Sequence, residues 1–594
     1  MRWGNRGRAS DLKPVVPGSP ALAPAGTVLT HPGSATVFSS GDAPSLTQHP
    51  KPLYKTVPLW TIVVTELLAV ALFAVLELFT SLPVWATALV AVIVGVGLGL
   101  LLATPRGGMT LGAHLQRRLA FWRRTRAEEP NPRPPFDVPT PDGGLIGLRW
   151  DGTELLSVLR VATRPGELTR LSPGVGPERT LNVGTIARAL HQFDIEVTSI
   201  DIITHGWQTR TSPYLARVYT ELVGTLGAVA HQDVFLVMRL NPAKCPDAVA
   251  SRGGGPTGAL RTAISATRRL ANRMAAESYH ATALTAAEIT ALSAQLMDGM
   301  QLRTASEQWN GVDWAGYRSA VYALGPSLDV AALQNIWSHP GISVTTRTAV
   351  QNDNGSGIHS IDTLVRYGTT GPLTQPPSPE LSLLEGDQLP ALRATLPLAR
   401  QQLPVAEGLG TVEDLDSIHL AIGGCGQLVG ADEKGRAVAM NLFGPRVKRV
   451  EVWGGLTLVQ QIVLRASVIG ARILIHTDRP EVWRTMVDAV AAPASMWVSA
   501  WRMPAQQALP QYTLCLLDSD EAVEDANIAT HIRVHRRPAM RMSLSDGVDL
   551  AFHQDSDDPT TVTVVSPGSR TRLRLVSTNE ERQLFGNRKT SAAQ

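Results

Sequence analysis

Two long apolar segments dominate the hydrophobic pattern of the first hundred residues. Residues 59–79 and 84–103 are almost uninterruptedly apolar, and about 20 such residues are enough for a helix to cross a hydrocarbon layer about 30 Å thick. Only the uncharged residues 80–83 separate them, too few for a folded domain. The pattern therefore predicts a tight transmembrane helical hairpin over residues 58–104.

Basic residues flank the outer ends of this hairpin. Lys51 and Lys55 precede it, and six arginines lie in the following segment, 105–127. Lysine and arginine collect on the cytoplasmic side of membrane helices. We therefore predict that both chain termini are cytoplasmic and that the short connection lies outside. A buried helical hairpin in a soluble protein is the competing interpretation.

The segment 105–127 has helical periodicity of its own. In LGAHLQRRLAFWRR, apolar residues recur every three or four positions, at Leu111, Leu115, Leu119 and Trp122. This spacing predicts a basic amphipathic helix lying on the membrane surface. The candidate contacts with lipid phosphates are Arg117, Arg118, Arg123 and Arg124. A basic flank that only orients the hairpin explains the same residues.

Four residues within the hairpin are candidates for helix–helix contact. Glu66 and Glu77 are 11 positions apart, so at about 100° per residue they share one stripe of the first helix. Gly95 and Gly99 form a G-x-x-x-G pair, which lets another helix approach closely. The second span offers no titratable partner for the carboxylates. We therefore expect the glutamate stripe to face another subunit, with Glu66 hydrogen-bonded there.

Composition shifts divide the rest of the chain. The Pro-, Gly- and Ser-rich start predicts a disordered tail, and two proline-rich stretches predict linkers. The predicted segments are a tail over 1–57, a linker over 128–144, a cytosolic α/β domain over 145–370, a linker over 371–380, a second cytosolic α/β domain over 381–580 and a tail over 581–594.

Alternating strand and helix patterns characterise both cytosolic domains. In the first, strands such as ELLSVLRV and DVFLVMRL alternate with helices such as ALRTAISATRRLANRM, which favours an α/β sandwich, with a ferredoxin-like arrangement as one form. In the second, VKRVEVWG, LTLVQQIVLRASVI, ARILIHT and PEVWRTMVDAV read strand, helix, strand, helix. This order predicts a Rossmann-like unit.

Nucleotide-binding motifs do not accompany that order. The glycines of GGCGQLVG, residues 423–430, run into a predicted hairpin rather than a helix N-terminus, so a β-bulge or turn is favoured over a phosphate loop. No Gly-Lys dipeptide occurs in the chain, which excludes a P-loop. In HTDRP, residues 476–480, Asp478 is expected to cap the helix that Pro480 opens.

Other candidate chemistry is sparse. Asp201, His205 and Trp207 are polar or aromatic residues at a predicted strand edge, favoured as structural over catalytic. The net charge of +3 is too small to predict nucleic-acid binding. The three cysteines, none in a C-x-x-C pair, fit buried reduced thiols. We therefore predict no catalytic residue, metal, cofactor or small-molecule substrate.

These features together resemble a known family. A two-span hairpin, the R-R-L-x-F-W-R-R segment and the stretch from GGCGQLVG to HTDRPEVW, residues 423–483, are similar to the EccE family of type VII (ESX) secretion systems. The resemblance covers the hairpin and most of residues 180–490.

The resemblance implies a structural role in a bacterial inner-membrane complex. Members of the family join EccB-, EccC- and EccD-type subunits, and the complex exports WXG100-type proteins with energy from the EccC ATPase. Two alternatives remain open on the residues alone. One is a membrane-tethered enzyme or nucleotide-sugar-binding protein that uses His476, Asp478 or residues 423–430. The other is a module that acts only on the lipid surface.

Overall fold

A computed structural model describes most of the chain. The described residues are 47–48, 59–80, 83–103, 105–106, 109–124, 132–162, 168–171, 180–223, 229–325, 333, 336–338, 341–352, 357–373, 376–401, 403–444, 447–501, 512–537 and 543–585. The predicted N-terminal tail therefore lies outside the described residues except for 47–48. Of the predicted C-terminal tail, only residues up to 585 are described.

Helices are concentrated in a few parts of the chain. They are α1 (Leu59–Phe79), α2 (Val84–Ala103), α3 (Leu111–Arg124), α4 (Val183–Arg188), α5 (Pro213–Val223), α6 (Pro246–Ser251), α7 (Gly255–Ala276), α8 (Ala286–Leu296), α9 (Gln388–Ala394), α10 (Val412–Asp416), α11 (Leu456–Val468), α12 (Arg484–Val490) and α13 (Asn579–Leu584). Short 3₁₀ helices cover Pro242–Lys244, Ile336–Ser338 and Pro480–Trp483.

Strands make up most of the chain after α3. They are β1 (Thr47–Gln48), β2 (Pro105–Arg106), β3 (Met109–Thr110), β4 (Phe136–Pro139), β5 (Leu145–Trp150), β6 (Leu155–Ala162), β7 (Leu168–Leu171), β8 (Thr180–Asn182), β9 (His191–Gln192), β10 (Ile195–Glu196), β11 (Ser199–Trp207), β12 (His231–Leu240), β13 (His280–Ala283), β14 (Ser306–Gln308), β15 (Gly311–Trp314), β16 (Tyr317–Leu324), β17 (Ser343–Asn352), β18 (His359–Thr369), β19 (Leu381–Leu383), β20 (Gly408–Gly410), β21 (His419–Ala421), β22 (Gln427–Ala431), β23 (Ala437–Met440), β24 (Arg449–Trp453), β25 (Ile473–Thr477), β26 (Met496–Val498), β27 (Leu514–Asp518), β28 (Thr530–His535), β29 (Leu550–Gln554), β30 (Thr561–Ser566) and β31 (Ser569–Arg574).

The two apolar helices have the predicted extents. Ile62–Phe79 and Val84–Leu102 are each long and apolar enough to cross a membrane, judged by length and composition. Most of their large side chains are exposed in the isolated chain, unlike those of a soluble core helix. A short hairpin, β2–β3, then joins α2 to α3.

Contacts divide the chain into two compact units. The first comprises the described residues of 38–208 and 226–426, and the second those of 209–225 and 427–594. The division at Gly426 lies downstream of the predicted linker 371–380, because β19 just after that linker pairs with β16 of the first unit. Residues 136–139 of the other predicted linker form β4, which pairs with β5.

The first unit is built on one large antiparallel sheet. Its main strand order is β14-β15-β16-β18-β17-β11-β12-β6-β5-β4. All pairings along this path are antiparallel. The strands of the predicted strand–helix–strand segments are therefore not paired in parallel with their neighbours in this sheet. Long strands such as β11 and β18 are buried along their whole length, which requires cover on both faces.

Two apolar cores provide that cover. On one face, Leu159, Ile202 and Leu236 of the central strands pack with Leu270 and other residues of α7. On the other face, alternate residues of the same strands pack with α8 and α9, as Val158, Phe235 and Leu292 illustrate. Because neighbouring strand residues point to opposite faces, central strands covered on both faces read as continuous apolar runs.

The second unit contains a mixed sheet. Six parallel strands in the order β26-β25-β27-β28-β24-β29 continue into antiparallel β30, β31, β22 and β23. The predicted Rossmann-like order is not confirmed. Although α11 connects β24 to β25, two other strands lie between them in the sheet. Local periodicity identifies strands and helices but does not specify which strands become neighbours.

Helix α11 forms the centre of the second unit's core. Every residue from Leu458 to Val468 is buried, including the guanidinium of Arg465, which forms a bidentate pair with Glu581 of α13 at 2.8 and 2.9 Å. Arg465 also donates to the carbonyl of Leu428 at 3.0 Å. A buried charge requires such pairing and hydrogen bonding to offset its desolvation. Residues 578–585 therefore belong to the fold of this unit.

Candidate functional site

Gly95 and Gly99 lie where α2 packs against α1. A Cβ added to Gly95 would come 2.8 Å from the Cβ of Ala69, and one added to Gly99 would lie 4.0 Å from the side chain of Thr65. Gly97 has no neighbouring atom within 4 Å of such a Cβ. Small residues let helix backbones approach closely. The G-x-x-x-G pair therefore packs within the hairpin itself.

Glu77 has its hydrogen-bond partner on the second helix. Its carboxylate accepts a hydrogen bond from the hydroxyl of Thr87, a residue that is completely buried. The sequence interpretation considered only titratable partners on that span and missed this hydroxyl donor. The carboxylate of Glu77 thus has a hydrogen-bond partner within the hairpin and does not require one from another subunit.

Glu66 is placed differently. It is exposed on α1, whereas its neighbour Thr65 is buried toward α2. Within the described part of the chain, the carboxylate of Glu66 has no hydrogen bond or ion pair. A carboxyl group in the middle of an apolar span is costly, by about 3 kcal/mol on insertion scales. Of the two glutamates, Glu66 is the one whose carboxylate has no hydrogen-bond partner within the described hairpin.

Helix α3 is attached to the β-rich part of the first unit by its arginines. The guanidinium of Arg124 forms a bidentate pair with Glu307 at 3.0 and 3.1 Å and also donates to the carbonyl of Gly386. Arg117 and Arg124 lie 3.2 and 3.4 Å from Asp387. The amphipathic pattern of the sequence predicts that both arginines lie at the lipid surface. The structure places them against protein, because acidic residues that are far away in the sequence converge beneath α3.

An aromatic cluster lies beside these ion pairs. The ring of Trp309 contacts His114 and Phe121 edge-on, at centroid distances of 5.4 and 5.6 Å. The guanidinium of Arg118 lies 5.4 Å from the same ring, within the range of a cation–π interaction. Gly386 packs beneath Trp309, where a Cβ would come 2.5 Å from the ring. We call this contact, from Glu307, Trp309 and residues 385–387 to α3, the α3 dock.

The remaining predicted lipid-contact residue, Arg123, is exposed. On the same side of α3, large apolar side chains are exposed as well: Leu115 at 52%, Leu119 at 46% and Trp122 at 50%. The amphipathic character predicted for residues 105–127 is therefore present in Leu111–Arg124. However, much of its basic face contacts the protein, while part of its apolar face is about half exposed.

Asp201, His205 and Trp207 are buried in the central strand β11. Asp201 accepts from Arg239 at 3.0 Å, and His205 lies 2.8 Å from the hydroxyl of Thr345. Burial raises the pKa of Asp201, but nearby Arg347 and Arg239 outweigh this and keep the pKa below its ordinary value. Asp201 therefore belongs to a buried ion-pair network, and the ring of Trp207 stacks on His231 at a centroid distance of 4.4 Å. The predicted position at a strand edge is wrong, because β11 lies between β17 and β12. This location supports the structural interpretation favoured from the sequence.

The strand end around HTDRP is organised by a residue that the sequence interpretation missed. The carboxylate of Asp518, at the end of β27, accepts from Arg479 at 2.7 and 3.0 Å and from Thr477 at 2.8 Å. The predicted cap at Asp478 is wrong. Arg479 precedes the helical turn, and Asp478 instead pairs with Arg536. Asp478 pairs with Arg536, far away in the sequence, instead of capping the helix, and local spacing does not reveal such a pair.

The glycines of residues 423–430 have structural roles. The register of β22 against β23 shifts between Leu428 and Gly430, so of the predicted bulge or turn the structure has a bulge at this point. A Cβ on Gly430 would come 2.5 Å from the carbonyl oxygen of Arg574. No helix starts at this stretch within the described residues around it, so it does not form the strand-to-helix loop that a dinucleotide site requires.

All three cysteines are buried and free. Burial raises the pKa of Cys425 and of Cys515 to about 12, so neither thiol forms a nucleophilic thiolate near neutral pH. In the described residues, no group of three or more His, Cys, Asp or Glu side chains is arranged to hold a metal ion.

A stack of three rings crosses the parallel strands of the second unit. Trp453 of β24 lies between His535 of β28 and His553 of β29, each at a centroid distance of 4.5 Å. Both ring nitrogens of His553 lack a hydrogen-bond partner among the described residues. Burial lowers the pKa of both histidines. The stack therefore contains neutral imidazoles.

The arrangement defines a class of protein. A hairpin of two apolar helices is followed directly by a helix that docks on a β-rich unit. The clusters of polar side chains described above are buried or ion-paired. These features are those of a membrane-associated protein whose folded part is held next to the hairpin.

Comparisons with known proteins agree with this class. The family model described as "Putative type VII ESX secretion system translocon, EccE" matches residues 228–324, which include β12 to β16 and two residues of the α3 dock. The chain is 24% identical over 294 residues to ESX-5 secretion system protein EccE5 of Mycobacterium marinum, covering 47% of this chain and 71% of that protein.

Two further relatives extend the similarity. ESX-2 secretion system protein EccE2 of Mycobacterium tuberculosis is 22% identical over 436 residues, covering 72% of this chain and 74% of that protein. ESX-1 secretion system protein EccE1 of Mycolicibacterium smegmatis is 24% identical over 380 residues, covering 63% and 73%. The chain is therefore similar to EccE proteins of three ESX secretion systems.

Proposed function

We propose that this protein is a non-catalytic structural subunit of the inner-membrane complex of a type VII (ESX) secretion system. Its similarity to EccE proteins of three such systems supports the role. The observation that carries the structural part is the α3 dock, in which Arg117 and Arg124 join the helix after the hairpin to the first unit. This connection suits a scaffold more than a freely tethered enzyme.

The proposed complex contains EccB-, EccC- and EccD-type subunits and supports export of WXG100-type proteins. In this arrangement both termini are cytoplasmic, because the basic residues lie outside the two spans. The units after α3 are then cytoplasmic, and energy for export comes from the ATPase subunit. The protein requires no cofactor or nucleic acid for this role.

Glu66 suggests which side of the hairpin meets a partner. Glu77 is bonded to Thr87 within the hairpin, whereas Glu66 is exposed on α1. A polar group inside a membrane is stabilised when it faces a protein neighbour that supplies a hydrogen bond. We therefore assign the Glu66 side of α1 to contact with a membrane helix of another subunit.

An enzyme or nucleotide-sugar-binding role has less support. Asp478 pairs with Arg536, the carboxylate of Asp518 is occupied by Arg479 and Thr477, and Gly430 belongs to a bulge. Asp478 and Gly430, on which this alternative partly depended, therefore have structural roles in the second unit.

Affinity purification from solubilised membranes tests the proposal. The tagged chain should bring down EccB-, EccC- and EccD-type proteins encoded in the same genome. Deletion of the gene should stop export of WXG100-type proteins. As a matched control, a chain truncated after α2 should insert but fail to support export. Purification of the intact chain without any of these partners would contradict the proposal.

A further inference from the structure

Helix α3 carries a partly exposed apolar stripe on the side opposite the ion pairs of the α3 dock. Leu115, Leu119 and Trp122 are each about half exposed, at 52%, 46% and 50%. At about 100° per residue their side chains span only about 60° of the helix surface. Three large apolar side chains on one narrow arc form a continuous surface rather than scattered exposed residues. We call this surface the α3 stripe.

The direction of the α3 stripe is fixed by the opposite side of the helix. Arg124 binds Glu307 and the carbonyl of Gly386, and Arg117 pairs with Asp387. The side chain of Glu307 is only 3% exposed. Rolling α3 to hide its apolar stripe would break these ion pairs and leave a buried carboxylate unpaired, which is costly. The dock therefore holds the stripe outward.

The position of α3 in the chain indicates what covers the stripe. The apolar helix α2 ends at Ala103, and α3 begins at Leu111 after the short hairpin β2–β3. Helices α2 and α3 also contact each other. The stripe is therefore continuous with the end of a membrane-spanning helix, where the acyl chains of the bilayer meet the headgroups.

The residues beside the stripe suit that boundary. On the helix surface, Arg118, whose guanidinium lies against Trp309, borders the stripe on one side. Arg123 borders it on the other side and is exposed. Long basic side chains at such positions can reach lipid phosphates while their stems cover apolar surface. Tryptophan is enriched at membrane–water interfaces, and Trp122 is the largest residue of the stripe.

We propose that α3 is a two-sided adaptor between the bilayer and the first unit. The α3 stripe is immersed in the lipid interface next to the hairpin, and the opposite face grips the first unit through the α3 dock. This inference rests on the proposed membrane insertion of the hairpin. It reassigns lipid contact from Arg117 and Arg124 to the three apolar residues, and it fixes the orientation of the first unit at the membrane surface.

Site-directed spin labelling tests the lipid contact. The full-length chain is reconstituted in phosphatidylcholine nanodiscs, with and without phosphatidylglycerol, after nitroxide labelling of Leu115→Cys, Leu119→Cys or Trp122→Cys. Ala120→Cys, on an exposed part of α3 outside the stripe, is the matched control. The native cysteines are buried, and a chain without introduced cysteine gives the background label.

The expected result is a lipid-like relaxation pattern. Labels at the three stripe positions should collide more with oxygen than with a water-soluble nickel chelate, whereas the label at Ala120 should show the reverse. Equal access of the nickel chelate to all four positions would overturn the proposal, as would stripe labels shielded from both reagents, which indicates cover by protein. Because no other subunit is present, this test can fail while the secretion-system role stands.

A charge introduced into the stripe gives a second measurement. Leu119→Glu should increase the nickel-chelate accessibility of a label at Leu115, because the helix lifts from the acyl boundary. Ala120→Glu adds the same charge outside the stripe and should leave that accessibility unchanged. An identical response to both substitutions would contradict a specific lipid-facing stripe.

Discussion

The guanidinium of Arg124 and the carboxylate of Glu307, 183 residues apart in sequence, meet in a bidentate ion pair at 3.0 and 3.1 Å. Glu307 is nearly inaccessible, and Arg124 retains 20% of its side-chain exposure. Bidentate arginine–carboxylate pairs fix geometry as well as adding energy. This pair therefore connects the helix that follows the apolar hairpin to the edge of a large antiparallel sheet.

Glu307→Gln should loosen α3 from the first unit. The neutral amide cannot accept both guanidinium hydrogen bonds, and loss of a partly buried charged hydrogen bond costs on the order of 1–3 kcal/mol. The measurement is limited trypsin digestion, in which cleavage after Arg117 and Arg124 should become several-fold faster. Asp313→Asn, which removes a more exposed pair with Arg318, is the control and should leave the cleavage rate unchanged.

Gly95→Leu should disrupt the helical hairpin. A Cβ at this position already lies 2.8 Å from that of Ala69, and overpacking costs roughly 1–3 kcal/mol or more. The melting temperature of the detergent-solubilised chain, followed by helical circular dichroism, should fall. Gly97→Leu adds the same side chain where no atom lies within 4 Å. Equal effects of the two substitutions would contradict the packing seen here.

Glu66→Leu should weaken assembly with the other subunits while leaving insertion of the hairpin intact. Leucine is more compatible with lipid than glutamate, so the hairpin itself should not be impaired. The yield of co-purified partner subunits measures the effect. Glu66→Gln keeps a hydrogen-bonding side chain and should retain most of the yield. If assembly is unchanged in the Glu66→Leu variant, the proposal that this side of α1 contacts another subunit is contradicted.

Glu581→Gln should destabilise the second unit strongly. The pair of Arg465 and Glu581 is almost completely buried, with 2% of each side chain exposed, and removing one charge leaves the other uncompensated, at a cost of about 3–5 kcal/mol. Chemical unfolding followed by tryptophan fluorescence measures the loss. Glu481→Gln breaks the exposed pair with Arg484 and should cause no measurable change.

Stability should fall as the pH is lowered from 7 to 5. Burial lowers the pKa of His553, with a further contribution from Arg570, and burial also lowers the pKa of His535. The unfolded chain then binds protons below its ordinary histidine pKa of about 6.5 while the folded chain does not. The stabilisation is thus present above that pKa and is lost as the pH falls below it.

His553→Phe tests this linkage, since phenylalanine retains the stacking on Trp453 but cannot bind a proton. The melting temperature of the variant should depend less on pH between 7 and 5 than that of the natural chain. His419→Phe, at an exposed position, is the control and should leave the dependence as it is. A variant with an unchanged pH profile would show that His553 does not contribute.

Local patterns in the sequence predicted the elements with strong periodicity. The bounds of α1 and α2 followed from unbroken apolar runs, and the apolar stripe of α3 followed from the spacing of Leu115, Leu119 and Trp122. Buried strands such as β12 were readable because both of their faces are apolar. The bulge at Gly430 was readable from the glycine-rich stretch before a predicted hairpin. These features depend on residues close together in the chain.

The tertiary structure decided which distant residues meet. Asp387 and Glu307 form ion pairs with arginines of α3, so those arginines face protein. Thr87 donates a hydrogen bond to Glu77. Asp478 pairs with Arg536 instead of capping a helix. Periodicity reports which face of an element is apolar, but it carries no information on strand order or on long-range charge pairing. For this reason the sequence alone determined a hairpin of two apolar helices followed by a basic amphipathic helix, whereas only the fold showed that the basic face of that helix contacts protein.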